Sequence, residues 1–419
     1  MSTLASPARI ETAPQSRWLA RTQDAAIFAA SANLFSTALA NVGLVLFVLM
    51  FIRVLLGPER RSLAWDTFPR GVALAIGLYL AWQAIGIAYS DAPFRYAFGS
   101  LWSDRKILYI LPLALLFGAE APRRRFLAAF LAVNTAALLL SYVLYFPDAQ
   151  NLLGRLPTRV LHSHVTQGMS FAMACFLSLW YLTQSTQRRW RLAFLLLAGA
   201  FLLNIIVLTA GRSGYVVFLV LVVAAFGVWK GPKGVAVGLA AAALLAVSIF
   251  LASDTVRARV MKGVYEAQNY QTAKEENSLG IRMLLYRTTL DMIAEHPVLG
   301  GGTGSFKGRF TERVSRHYSD WRAKPFHDPH NQYLFVWVEN GIAGLATFVL
   351  LLVALYRACD KRSSYGQMAA GCLLAWCVTS LFSGHFRTFP EAHIIVFVLG
   401  VLMLPLSNGA SPRVEATPA

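Results

Sequence analysis

The feature that most constrains this chain is a succession of apolar blocks, each near the length of a bilayer crossing, joined by short arginine-rich segments. The blocks fall near residues 25–56, 71–89, 96–118, 126–146, 165–182, 192–208, 215–229, 235–252, 331–356, 367–382 and 394–406. About 20 apolar residues in a helix span the hydrocarbon core, where a chain must satisfy its own backbone hydrogen bonds. Charged residues make up 14% of the 419, where a soluble domain carries about 25%. The chain therefore reads as one polytopic all-α membrane domain, and an ordinary cytosolic enzyme is excluded. The excess of 17 positive charges could suggest nucleic acid. Arginine and lysine gather between the apolar blocks instead, where membrane lipids and the insertion machinery read them, and no nucleic acid is expected as a partner.

Those positive residues also set the orientation, because they accumulate in short cytoplasmic loops. As one long helix, the first block would put Arg53, Arg60, Arg61 and Arg70 opposite Arg9, Arg17 and Arg21. As a tight hairpin it keeps both groups on one side and brings the count to about twelve transmembrane helices, and the hairpin is the preferred reading. The layout is then a cytoplasmic N-terminus over 1–24, nine crossings over 25–252 and one large periplasmic segment over 253–330. Three more crossings over 331–406 and a cytoplasmic tail over 407–419 complete it. All eight histidines, among them His162, His164, His385 and His393, fall on the outer face, so the chemistry is expected to face outward. The stretch after the polar N-terminus exceeds the roughly 7–15 residues of a signal-peptide core, so the N-terminus is expected to stay attached. Cys175, Cys359, Cys372 and Cys377 imply no disulfide framework.

The outer segment is more than a linker. Leu279, Met283, Tyr286, Leu290 and Ile293 recur at helical spacing and predict a surface helix with one apolar face on the membrane or the bundle. His296-Pro297 stops it, and Gly300-Gly301-Gly302-Thr303-Gly304 reads as a flexible hinge. The run lacks the Gly-Lys-Ser/Thr ending of a nucleotide loop.

Several residues could carry chemistry. Arg212 sits in a polar break, Thr209 to Gly214, between two apolar blocks. It reads either as part of an anion site, with backbone amides beside a guanidinium, or as a helix-end arginine reaching headgroups. Arg282 and Arg287 lie about 140° apart on the surface helix, and Arg282 is nearer the apolar face, hence the better inward candidate. His327-Asp328-Pro329-His330 could bind metal, but Pro329 holds the residue before it extended, and no Asp-x-Asp pair accompanies the motif. No metal and no cofactor are expected. A lone histidine base is the preferred reading, since imidazole can accept a hydroxyl proton near neutral pH. Asn331 either orients substrate or caps the next helix. Asp104, Arg105 and Lys106 fall inside a nominal crossing, so they must be paired, interfacial or cavity-lining, with a role on an anionic substrate as the sharper alternative. Glu339, about two turns beyond His330, reads as structural or functional.

Taken in order, Gly211-Arg212-Ser213-Gly214, then Arg282 and Tyr286 leading to His296-Pro297-Val298-Leu299-Gly300, then His330-Asn331-Gln332-Tyr333-Leu334 and Glu339-Asn340-Gly341 resemble the bacterial O-antigen ligase and polymerase superfamily. The likeness covers about the last half of the chain, and its single large outer segment is closer to lipopolysaccharide O-antigen ligases than to polymerases. The resemblance implies a metal-independent, inverting glycosyltransferase of the bacterial inner membrane with a GT-C-like helical bundle. It would move a glycan from undecaprenyl diphosphate to the lipid A-core oligosaccharide on the periplasmic side. It implies His330 as base and Arg212 and Arg282 as diphosphate ligands, with Arg287 as the alternative to Arg282; Asn331, Arg105 and Lys106 stay as further candidates from the reading of the residues themselves. The alternatives are a polysaccharide polymerase or protein O-oligosaccharyltransferase of the same superfamily, or a lipid-linked glycan transporter. A transporter would show related halves and broken helices meeting at mid-membrane.

Overall fold

The computed structural model describes residues 16–146, 159–208, 212–269 and 276–407. Among them lie fifteen α-helices and no strand. The first blocks give α1 (Arg17–Ala32), α2 (Thr37–Leu56), α3 (Arg70–Ala88), α4 (Phe94–Asp104), α5 (Ile110–Leu116) and α6 (Glu120–Val143). Next come α7 (His164–Gln184), α8 (Arg188–Leu203) and α9 (Arg212–Ala252). The long outer segment holds α10 (Asp254–Gln268), α11 (Ser278–Glu295) and α12 (Phe306–His317), and the chain ends with α13 (Gln332–Ala358), α14 (Ser364–Thr379) and α15 (Phe389–Leu402). The protein is an all-α polytopic membrane protein.

Seven of these helices or half-helices are long and apolar enough to cross a membrane as single rods, with Ser213–Val228 and Phe389–Leu402 as shorter apolar helices. The remaining apolar blocks are shorter or divided, for physical reasons visible in the chain. A 3₁₀ turn over Arg105–Tyr109 interrupts the α4–α5 block where its charges lie. Near the middle of α9, Gly231 takes φ 60° just before Pro232. The chain doubles back there, so Gly238 lies beside Val223 and Phe226. The first block splits into α1 and α2 around residues 33–36, with Ser36 capping α2 by accepting from Leu39 N–H. Helix α1 begins at Arg17, eight residues before the apolar block.

Positive residues at the end opposite the outer segment are not all spent on headgroups. Arg123 is buried and donates to the carbonyls of Phe117 (2.7 Å), Leu404 (2.7 Å) and Pro405 (3.1 Å). It ties the start of α6 to the end of the last helix, an arrangement suited to five donors in a fixed fork.

The outer segment is fixed to the bundle by its own small core. Leu285, Met292 and Ile293 of α11, Phe306, Phe310 and Val314 of α12, and Phe335 and Val338 of α13 pack together. The stripe of α11 turned inward is thus rotated from the one periodicity suggested. Met283 and Leu290 point out of the protein, while Thr288 and Thr289 are buried. Among the described residues the segment also holds three helices rather than one: α10 is poor in apolar residues, whereas Phe306, Phe310 and Val314 of α12 do recur at helical spacing and were passed over.

The glycine run is not a hinge. Gly300, Gly302 and Gly304 all have positive φ, as does Gly341 inside α13. A Cβ on Gly302 would stand 2.2 Å from Ser90 Cα, and one on Gly341 would stand 1.9 Å from the Val298 carbonyl oxygen. The loop is pressed into the break in α13, with Gly302 N–H donating to Glu339 O (2.8 Å) and Ile342 N–H to Pro297 O (3.0 Å). Glycine here serves close backbone approach, which locks the outer segment to α13.

Candidate functional site

Helix α13 starts where the outer segment returns to the bundle, and its first turn is fixed by Asn331. The Asn331 carboxamide oxygen accepts from Tyr333 N–H (3.0 Å) and Leu334 N–H (3.1 Å), so this residue caps the helix. Immediately before it, His330 has φ 53°, the sole non-glycine residue with positive φ among the described residues. A left-handed histidine costs free energy and persists where neighbours hold it. Asp328 is the holder. Its Oδ1 accepts the His330 backbone N–H at 2.7 Å and lies 3.1 Å from His330 Nδ1. The turn therefore swings the imidazole back onto the same carboxylate, which keeps the ring proton on Nδ1 and leaves Nε2 as an acceptor. The His330 side chain is 40% exposed, so Nε2 belongs to a ring a ligand can reach. Burial pushes the Asp328 carboxyl up, but its hydrogen bonds from the His330 ring and backbone N–H outweigh this and hold it below its ordinary value.

Helix α11 supplies the opposite wall. Asn277 caps it by accepting from Gly280 N–H at 2.7 Å. Tyr286 reaches across, donating to Leu381 O at 2.7 Å, with His330 O at 3.3 Å. Arg282, one turn earlier, is half-buried and close enough to act on Tyr286 and on His385. His385 lies in the connector 380–388 between α14 and α15. It is buried among Glu391, Asp328, Arg282 and His330, and burial lowers its pKa to about 4. Both its ring nitrogens, together with Gln332 Oε1 and Ser380 Oγ, are buried without a hydrogen-bond partner. Hydrogen-bonding capacity therefore remains unspent around the exposed imidazole.

The structure thus brings together His330, Asn331 and Arg282, and adds Asp328, Tyr286 and His385. Arg287 is turned away, exposed, and lines a different cleft facing α12. Arg105 stacks on Trp102 at 4.3 Å and donates to its carbonyl at 2.6 Å, so it is engaged locally. Lys106 is buried and donates to Arg387 O at 2.5 Å, bracing the connector from behind. Arg212 is the first residue of α9; residues 209–211 and its side chain lie outside what the structure describes. Among the described residues, no three His, Cys, Asp or Glu side chains converge as a metal ligand set. Sequence reading passed over Asp328 as an orienting group. The signal was present, since an Asp two residues before a turn position often accepts that backbone N–H.

A helical membrane bundle with a carboxylate-held histidine at the mouth of one helix defines a class of polytopic membrane protein with its polar centre beside one long loop segment. The O-antigen ligase family model matches residues 197–349, which include Arg212, Arg282, His330 and the Gly341 break. An O-antigen ligase of Salmonella typhimurium is 26% identical over 257 residues, and the alignment spans 60% of this chain and 60% of that relative. Over this part of its length the chain is similar to O-antigen ligases.

Proposed function

We propose that the protein transfers a glycan from a lipid diphosphate to a hydroxyl of a lipid-anchored sugar on the periplasmic face of the inner membrane. Undecaprenyl diphosphate is the donor carrier and the lipid A-core oligosaccharide the acceptor. The observation that carries this reading is the Asp328–His330 pair beside Arg282, a base and a cation presented together at the mouth of α13. His330 Nε2 takes the proton of the acceptor hydroxyl. The freed oxygen attacks the anomeric carbon, and the bond from that carbon to the diphosphate oxygen breaks with inversion. Asp328 stabilises the imidazolium formed. Negative charge grows on the departing diphosphate, and Arg282 and Arg212 bind it, guanidinium groups standing where a divalent ion would otherwise act.

The test uses purified protein with a lipid-diphosphate glycan and lipid A-core acceptor in excess chelator. Transfer is expected to persist, with Arg282→Ala and Arg212→Ala weakening donor binding. Arg212→Lys should remain impaired because lysine keeps the charge but loses the fork. Activity lost to chelator and restored by one divalent ion would overturn the arginine reading. Wild-type transfer by His330→Ala would overturn the base.

A further inference from the structure

Helix α11 has a third face. Beyond Arg282 and Tyr286 on one side and Leu285 and Met292 on the core side, Arg287 and Asp291 line a cleft of about 660 Å³ against α12 and the turn at Trp321–Ala323. Its floor is formed by the buried Leu284, Thr288 and Val314. Past Glu295 and Arg313 the cleft continues into two hollows of about 290 and 450 Å³ that share Glu295 and Arg309. They end at Tyr89 and Gly301. The three make one trough, and its α11 wall alone, Leu284 to Glu295, runs about 17 Å at 1.5 Å per residue.

The chemistry of the walls restricts what could lie there. Arg309 pairs with Asp91 (3.8 Å) and Glu295 (3.9 Å), Arg313 with Glu295, and Arg322 with Asp320 at 2.5 Å. Carboxylates nearly balance guanidiniums, so the trough is not a polyanion groove. Paired donors and acceptors in alternation suit neighbouring hydroxyls, which donate to one and accept from the other. Tyr89 stands at one end, and an aromatic ring gives an apolar face to a sugar ring; the Tyr318 ring in the cleft by α12 already has the Arg322 guanidinium over one face.

We propose that this trough is an oligosaccharide-binding site, holding the glycan chain several sugars away from the bond being made. The proposal rests on the transferase reading for its role, though binding itself does not require it. Arg282, on the His330 side, and Arg287, on the trough side, lie about 140° apart around α11, so a chain reacting at one site passes over this helix to the other.

The experiment uses full-length protein in nanodiscs and lipid-free oligosaccharides of graded length, released from the host cell's own lipopolysaccharide. Wild type and His330→Ala are expected to bind alike, with affinity rising with length. Asp291→Asn and Ala294→Trp change exposed wall residues, the second filling the cleft without touching an ion pair. Asp291→Asn should weaken long-chain binding by about tenfold, the worth of one hydrogen bond to a charged group, and Ala294→Trp, by blocking the cleft, at least as much. In transfer assays both should raise KM for a long-chain donor and leave a single-repeat donor unchanged. Unaltered glycan binding in both variants would overturn the proposal. So would a polyphosphate probe that displaces the glycan at lower concentration, or equal loss with short and long donors. If His330→Ala keeps full transfer, the transferase reading fails, while length-dependent binding lost in the trough variants still upholds the site.

Discussion

Two polar clusters sit close together in this protein and are built differently. The inner one joins α3, α4, α13 and the 380–388 connector. Asp104 Oδ2 accepts from Tyr79 (2.9 Å) and Gln83 (2.7 Å), and Glu339 accepts from Ser100 (3.2 Å) and from Phe306 N–H (3.3 Å). Arg387 donates to Ser100 at 3.0 Å. Asp104, Lys106 and Glu339 are all buried. The outer cluster around His330 is partly exposed, carries a backbone held in the left-handed region, and leaves both His385 ring nitrogens, Gln332 Oε1 and Ser380 Oγ buried without partners, where the inner one leaves Asp104 Oδ1. Charge inside an apolar segment is costly and is used here to tie helices together. The groups proposed to carry chemistry stand where the outer segment returns to the bundle, and the inner cluster lies beside them through Arg387 and the Glu339 contacts to the glycine loop.

That contrast is broken or sharpened first at His330. His330→Ala should lower transfer by about 10²–10⁴-fold, the worth of a positioned base, with donor binding retained. Equal loss of binding and turnover would make the residue a ligand instead. Asp328→Asn should follow at about 10²–10³-fold, since it keeps the turn's shape but no longer stabilises the imidazolium. A kcat unchanged in Asp328→Asn would reduce the carboxylate to a turn former.

How much of this was legible beforehand follows from what each signal depends on. Hydropathy depends on composition over some twenty residues, so the helical blocks and the split of residues 25–56 into α1 and α2 could be read. The order of Arg282, His330 and Asn331 marked them as candidates, because motif spacing survives without coordinates. Asp328 could not be assigned its part, since that depends on the φ of His330, a single dihedral. The glycine run was ambiguous for a similar reason. Glycine serves freedom and close approach equally, and only the contact of Gly302 with Ser90 and of Gly341 with Val298 distinguishes them. The inward face of α11 was misread because Thr288 and Thr289 are buried while Met283 and Leu290 are not, a choice made by neighbours rather than by local pattern.

The inner cluster gives the next effect, and it should fall on stability alone. Asp104→Ala leaves the Tyr79 hydroxyl and the Gln83 amide without their acceptor, a loss of about 3 kcal/mol from two unsatisfied buried donors. Thermal unfolding in detergent should shift down, while kcat per folded molecule stays at the wild-type level. A fall in kcat with unchanged unfolding temperature would move this cluster from scaffold to site.

The smallest effect appears only in acid, and it concerns His385. Burial among Glu391, Asp328, Arg282 and His330 holds its pKa at about 4 in the folded protein, against about 6.5 for an unperturbed histidine. Between those values the unfolded chain takes up a proton that the folded one refuses, so stability rises with pH across the window. The contribution is fully present above pH 6.5 and is lost as pH falls toward 4, with about 2 kcal/mol gone by pH 5. His385→Phe replaces two unpartnered ring nitrogens with an apolar ring of similar shape, which is near neutral at pH 7 because no hydrogen bond is broken. The variant should therefore unfold at nearly the wild-type temperature at pH 7 and hold an advantage that grows from pH 6.5 to pH 5. Parallel acid sensitivity in the two proteins would mean that His385 gains a partner and takes up its proton without unfolding. The outer cluster would then have spent its largest store of unpaired polar atoms, and the difference between the two would rest on exposure and on the left-handed backbone at His330.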